Sequence, residues 1–298
     1  MSLIKTGGIN MSSTTSIRYF FAKLNIAERL IAANVAIYIV NSLLVFLFQL
    51  HKFSFIQWFE LPRSFTDFIG QPWSLVTYAF FHNDFFHIFW NMILLYFTGK
   101  IFLNLFNERR FIAVYFLGAI VGGLLFLISY NLFPVFSGIN TALIGASAAV
   151  MAILLCICAY IPNQDIRVFF FNIKLWHLGA FFVLLDLIQL PFNNPGGHIA
   201  HLGGAALGYF YARQLSNGND IGEWFSRLLD SFRSIFTPKK RSPLKTVYKK
   251  NTTVKTPVKE KKSEEQLKID EILDKISKSG YDSLTREEKD FLFKVGKS

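Results

Sequence analysis

Charge is what this chain has least of. Asp, Glu, Lys and Arg make up 17% of its 298 residues, against about 25% in a typical soluble domain. Together with 52% hydrophobic residues, that shortage excludes an ordinary soluble globular protein. Cysteine is nearly absent. Cys156 and Cys158 stand two apart in one apolar run, so on a helix they do not share a face and form no normal disulfide with each other. They read as small buried apolar residues. No zinc-type spacing exists, so neither a metal site nor a cofactor is expected. Residues 1–26 hold no short apolar segment with a small-residue cleavage site, and no removable signal peptide is expected. No nucleic-acid motif occurs, so no nucleic-acid partner is expected. A channel or transporter would need charged residues along a pore, and the apolar segments are nearly free of them.

Long apolar runs are what the chain does have. The mean hydropathy is +0.35 despite a polar last third, the pattern of a polytopic membrane protein with a soluble tail. Six spans are predicted, near residues 27–50, 85–102, 111–133, 142–161, 168–190 and 198–214. Between the first two, the aromatic-rich stretch 51–75 reads as a segment lying in the membrane interface or as an aromatic belt. Lys100, Arg109, Arg110 and Arg167 fall in the turns on the side of the two tails, whereas the loops at 131–140 and 191–197 carry no charge. Lys52 and Arg63 are the exceptions on the opposite side. The positive-inside rule therefore places both termini in the cytoplasm.

The net charge of +11 belongs to the tail. Residues 227–262 contain 12 Lys/Arg against only Asp230 and Glu260, with three prolines. A basic flexible linker is expected over 215–262, drawn to anionic lipid. Residues 263–298 regain a helical period and are predicted to form a small helical hairpin. Gly280 stops the first helix, and Thr285 caps the second with Glu288 at the capping-box position.

Polar residues inside apolar spans are costly and demand a reason. Span two carries His82, His87 and Asn91. The last two stand four apart and project from one helix face, offering two N–H donors of the kind an oxyanion needs. Span four carries Ser147 among small residues. Left alone, such a serine bonds its own helix or eases helix packing. Span six carries His198 and His201, followed by Gly204 and Gly208 in the spacing that lets helices approach closely. Span five carries one acid, Asp186, which could orient His201 or serve as a structural hydrogen-bond partner.

These residues resemble a family. His82-x4-His87-x3-Asn91, Gly145-x-Ser147 and Ala200-His201-Leu202-Gly203-Gly204-x3-Gly208 occur in the order and on the spans of the rhomboid intramembrane serine proteases. The likeness covers roughly residues 27–214. It implies an all-α polytopic membrane protein with a six-transmembrane-helix rhomboid core. It also implies a serine endopeptidase that cuts peptide bonds in or near transmembrane segments of membrane proteins. In that reading Ser147 is the nucleophile and His201 its general base. His87, Asn91 and the Ser147 N–H form the oxyanion hole, Gly145 shapes the approach, and His82 supports from the loop side. The family string selects His201 over His198 as base; His198, one turn away, is expected to face water. His82, Asn83, Asn140, Thr141, Asn193, Asn194 and His198 are expected around the outer mouth.

Three positions depart from the family pattern. Ala148 follows the serine where glycine is usual. Met151 stands where an aromatic residue often stacks on the base. Trp73-Ser74 replaces a common Trp-Arg. The expected partners are transmembrane protein substrates with small residues and an easily unwound helix, together with the lipid bilayer. The expected location is a bacterial inner (cell) membrane. The alternative is a catalytically silent rhomboid-like protein that binds or sorts membrane helices.

Overall fold

The structure is a computed structural model and describes residues 19, 22–50, 55–168, 170–236 and 264–296. The expectations for the first tail, for Lys52 and for the linker beyond residue 236 lie outside the described residues. The chain divides into two compact units, Met1–Lys239 and Lys240–Ser298.

Helices dominate the first unit, and most of the long ones start where sequence chemistry says they should. Helix α1 (Ile26–Leu47) opens on a capping box in which Asn25 accepts from the Glu28 N–H and Glu28 accepts from the Asn25 N–H. Two short helices follow, α2 (Phe65–Gly70) and α3 (Ser74–Thr77). Asp84 caps α4 (Phe85–Leu105), and Asn107 caps α5 (Glu108–Leu132). Next come α6 (Ser147–Tyr160), α7 (Leu175–Gln189) and α8 (Pro195–Ser216), the last capped by Asn194 with Pro195 at its first position. Helices α1, α4 and α5 are long and apolar enough to cross a membrane. Helices α6 and α7 are apolar but shorter. The outer surface exposes Ile39, Phe46, Phe97, Ile128, Leu184 and Ile188, far more apolar area than water tolerates. This is a membrane protein.

Helix α6 is the hub of the unit. Residues Ala148 to Cys158 are all buried, as a helix that is apolar on every side must be. Small residues let its neighbours close in. A Cβ on Gly204 of α8 would fall onto the Ala148 carbonyl oxygen, and one on Gly208 onto that of Ala152. On α5, a Cβ on Gly122 would come 2.6 Å from the Ala148 methyl and 2.7 Å from the Ala200 carbonyl oxygen. The Ala148 methyl, the first departure from the family pattern, therefore fills the space that Gly122 leaves open.

Two short strands tie the long first loop to the segment before Ser147. Strand β1 (Leu61–Pro62) pairs antiparallel with β2 (Ala142–Leu143). Arg63 donates to the Phe136 and Ile139 carbonyls at 3.5 and 2.5 Å, and Asn131 donates to the Arg63 carbonyl. Trp73 Nε1 donates to the Trp58 carbonyl. The stretch after residue 55 is thus a folded loop held by its own bonds.

Three boundaries differ from the sequence expectation. Residues 142–146 do not belong to a helix, because Gly145 takes φ +120° and the helix begins only at Ser147. The predicted fifth span from residue 168 is shortened, since β3 (Asp165–Val168) and β4 (Phe171–Lys174) form a hairpin and the helix starts at Leu175. Pairing through the backbone ladder accounts for an apolar stretch that a hydropathy reading extends into the span. Residues 223–236, expected within the flexible linker, form helix α9 (Glu223–Phe236). Its Phe225 packs on Ala113 and Leu117 of α5, an amphipathic docking hidden by the basic composition around it.

The turn into α9 is anchored by Asp220, which accepts from Tyr211 Oη at 2.6 Å, Arg110 Nε at 2.8 Å and the Gly222 N–H at 3.0 Å. Burial pushes the Asp220 carboxyl up, but these three donors outweigh it and hold it below its usual range. Its stabilising effect is therefore present above the unfolded value near ~3.9 and is lost as pH falls through the lowered folded value. Asp220→Ala is expected to cost about 1–3 kcal/mol, read as a lower melting temperature of purified protein at pH 7.

The second unit holds α10 (Glu264–Ser279) and α11 (Arg286–Val295). Gly280 at φ +77° follows the first helix. Thr285 and Glu288 exchange side-chain and backbone bonds at the start of the second, and Lys275 pairs with Glu288 at 2.9 Å.

Candidate active site

Ser147 is the first residue of α6, and no side chain caps that helix, its N-cap position being Ala146. Its neighbours reverse the rule, with Asn25, Asp84, Asn107 and Asn194 all spent as caps. An uncapped first turn leaves backbone N–H groups and the positive end of the helix dipole aimed past the serine. The residues before it are tied elsewhere. The Gly145 N–H donates to the Tyr78 carbonyl at 3.0 Å, and the Ala146 N–H to His82 Nε2 at 3.4 Å. Among the described residues Ser147 Oγ makes no hydrogen bond to its own helix, so the default of a self-satisfied packing serine does not hold.

Ser147, His201, His87 and Asn91 line one cavity of about 570 Å³. They arrive on three helices, α6, α8 and α4. Phe86, Trp90 and Leu94 form an apolar wall, and Asn83, Thr141 and Asn194 supply polar groups. The Asp84 carboxylate, besides capping α4 through the His87 N–H at 2.9 Å, also borders the cavity. Asn91 Nδ2 donates to the His87 carbonyl at 2.8 Å, which commits one of its two amide hydrogens and leaves the other. A Cβ on Gly145 would stand 2.6 Å from His87 Nε2. Glycine there allows both the left-handed backbone and the close approach of the ring.

His82 stands behind this wall. It is buried, meets His87 edge-on at 5.0 Å and holds the Ala146 N–H. Taking the Ala146 N–H requires a lone pair on His82 Nε2. It is therefore a neutral acceptor that fixes the loop entering the serine helix. Met151 is buried in the core and does not line the cavity. Gly204 and Gly208 set the distance between α6 and α8.

Of the residues expected at the mouth, Asn83, Thr141 and Asn194 line the cavity; His82, Asn140, Asn193 and His198 do not. The water-facing reading of His198 is wrong. It is buried, because its Nδ1 lies 2.7 Å from Asp186 Oδ1. The same carboxylate oxygen lies 2.8 Å from His201 Nδ1. The sequence offers Asp186 either as an orienting partner of His201 or as a structural hydrogen-bond partner, and the bond to His198 is the contact that neither expectation names. The signal was available, since His198 and His201 stand three apart on one helix face.

The family model described as Rhomboid domain matches residues 69–218, half of the chain. The chain belongs to the rhomboid family. This rhomboid also carries, over residues 252–297, a match to a family of unknown function, DUF6576. It is 32% identical over 150 residues to RHOMBOID-like protein 12, mitochondrial, of Arabidopsis thaliana, covering 46% of this chain and 45% of that protein. Against Rhomboid protein 1, mitochondrial, of Saccharomyces cerevisiae it is 26% identical over 219 residues, 67% of this chain and 59% of that one. Against Rhomboid-like protease 3 of Toxoplasma gondii it is 25% identical over 158 residues, 52% of this chain and 56% of that one. The rhomboid thus spans roughly half the length of these curated relatives. Two of the three bear mitochondrial names, and nothing in them supports the expected bacterial membrane.

Proposed function

We propose that this rhomboid is an intramembrane serine endopeptidase that cleaves transmembrane proteins. The observation that carries the reading is the shared cavity of Ser147, His201, His87 and Asn91. All six helices α1 and α4–α8 cross the bilayer in this reading, with both termini on the side rich in Lys and Arg. At 14 residues, α6 is only about 21 Å long, well short of a ~30 Å hydrocarbon core. Its serine end then lies below the membrane surface, and the polar rim admits the water that hydrolysis consumes.

The chemistry is acyl transfer. Ser147 Oγ attacks the scissile carbonyl carbon while His201 Nε2 takes its proton. Negative charge gathers on the carbonyl oxygen, where the free Asn91 N–H, the His87 ring N–H and the Ser147 backbone N–H receive it. His201 passes the proton to the leaving amine as the C–N bond breaks. Water, deprotonated by the same imidazole, then releases the acyl group. A substrate helix that unwinds easily is favoured, because backbone groups unpaired in lipid are costly.

A fluorophosphonate probe tests the reading. Labelling is expected at Ser147 and is expected to vanish in His201→Ala; labelling that persists unchanged in that variant overturns His201 as the base, and its absence from wild type sinks the reading in favour of a silent helix binder. Asn91→Ala is expected to lower kcat about 10²-fold with little change in KM, since an oxyanion donor acts mainly in the transition state. Initial rates on a single-span test substrate check this.

A further inference from the structure

Asp186 sits near the end of α7, 5% exposed, and one of its oxygens reaches two imidazoles. Oδ1 is 2.8 Å from His201 Nδ1 and 2.7 Å from His198 Nδ1. An ionised carboxylate has only lone pairs to offer. Both contacts therefore require each histidine to hold a proton on Nδ1 and donate it. Two short bonds from N–H groups keep the buried carboxylate ionised. For His201 the consequence is a choice of tautomer. With its proton on Nδ1, the lone pair stays on Nε2, the nitrogen that must accept the Ser147 proton. For His198 the same logic makes Nε2 an acceptor, 3.4 Å from the Asn193 side-chain oxygen. The Asn193 amide then presents its NH₂ there instead, an exchange of O and N that amide assignment permits.

The ligand atoms of Asp186, His198 and His201 lie within 4.8 Å of one another, a grouping that a divalent cation could in principle share. The two N···O separations argue otherwise. Ligands around one tetrahedral zinc with bonds near ~2.0 Å stand about 3.3 Å apart, whereas 2.7 and 2.8 Å are hydrogen-bond distances. The carboxylate orients histidines.

We propose that Asp186, itself held by His198, is the positioning residue of His201, so that this rhomboid works with a Ser147–His201–Asp186 triad in place of a bare Ser–His pair. The proposal rests on the assignment of Ser147 and His201 above. Asp186 takes no proton at any step. It fixes the ring of His201 before attack and stabilises the imidazolium that forms when the Ser147 proton arrives. His198 supplies the second N–H that keeps the carboxylate in place. Besides Asp186 and His198, the titratable groups that share a cavity with His201 are His87 on α4 and Asp84 at its cap.

The test uses the full chain, purified, in detergent or liposomes. In Asp186→Asn, kcat on a single-span substrate is expected to fall about 10²–10⁴-fold, with KM within about two-fold. The acid limb of the kcat/KM profile moves to lower pH, because removing the negative charge makes the imidazolium easier to deprotonate. His198→Gln shows a smaller fall in kcat. A merely structural role would reduce the fraction of folded enzyme and leave the acid limb in place. Spectra of ¹⁵N-histidine-labelled wild type, with His201 assigned by its loss in His201→Gln, need neither activity nor an Asp186 variant. They are expected to show His201 as the Nδ1–H tautomer at pH 8. A neutral His201 protonated on Nε2, or an Asp186→Asn enzyme with unchanged kcat and acid limb, overturns the proposal. If Ser147→Ala retains full cleavage, the protease assignment fails instead, and the spectra still decide whether Asp186 sets the tautomer.

Discussion

Ser147→Ala is expected to bring cleavage of a single-span substrate to background, a loss of at least about 10³-fold, with no loss of thermal stability. Both halves follow from the geometry. The Ser147 hydroxyl lines the same cavity as the His201 imidazole and stands at the uncapped start of α6, where a carbonyl oxygen under attack meets free backbone N–H groups. It carries no hydrogen bond to its own helix among the described residues, so removing it breaks nothing that holds α6 in place. The helix starts where it does because Gly145 takes φ +120° and the Ala146 N–H is held by His82. Alanine at the first helical position keeps that start intact, since alanine is the best helix former. Rates from reconstituted enzyme, with melting curves for both proteins, check the pair of outcomes. Residual cleavage above about a tenth of wild type would falsify the nucleophile assignment.

Gly208→Leu is expected to have the largest effect on stability. The first atom of any side chain at this position lands on the Ala152 carbonyl oxygen of α6, and backbone cannot rotate away as a side-chain end can. Relieving the clash means parting α6 from α8, which also moves His201 relative to Ser147. Overpacking usually costs about 1–3 kcal/mol; against backbone at the tightest helix pair of the unit, at least about 3 kcal/mol is expected. Gly70→Ala is the matched control, because nothing lies within 4 Å of a Cβ there. Melting temperatures in detergent should fall sharply for the first and stay within about a degree for the second. Equal melting temperatures would remove close α6–α8 contact as the reason for glycine at this position.

Much of the placement of the candidate site residues was legible in the residues themselves. His87 and Asn91 at helical spacing had to share a face, and the structure puts both on one cavity wall. Gly204 and Gly208 announced a close helix contact, and their carbonyl neighbours on α6 supply it. The role of Ala148 was not legible, because its methyl is accommodated by Gly122, which comes from another helix. Helix α9 was hidden for a related reason. Its charge pattern reads as linker until Phe225 is seen against α5 and Asp220 against Arg110.

By itself the sequence determined most of the long helices, the caps that start them and which faces carry polar groups. These depend on neighbours within about one helical turn, through periodicity, capping and the cost of placing polar groups in an apolar surround. Only the tertiary structure decided what those polar groups meet. That His198 turns inward, and that one Asp186 oxygen serves both it and His201, depends on how α7 lies against α8. A hydrogen bond forms or fails over a few tenths of an ångström, and no spacing along a chain fixes a distance between two helices to that tolerance.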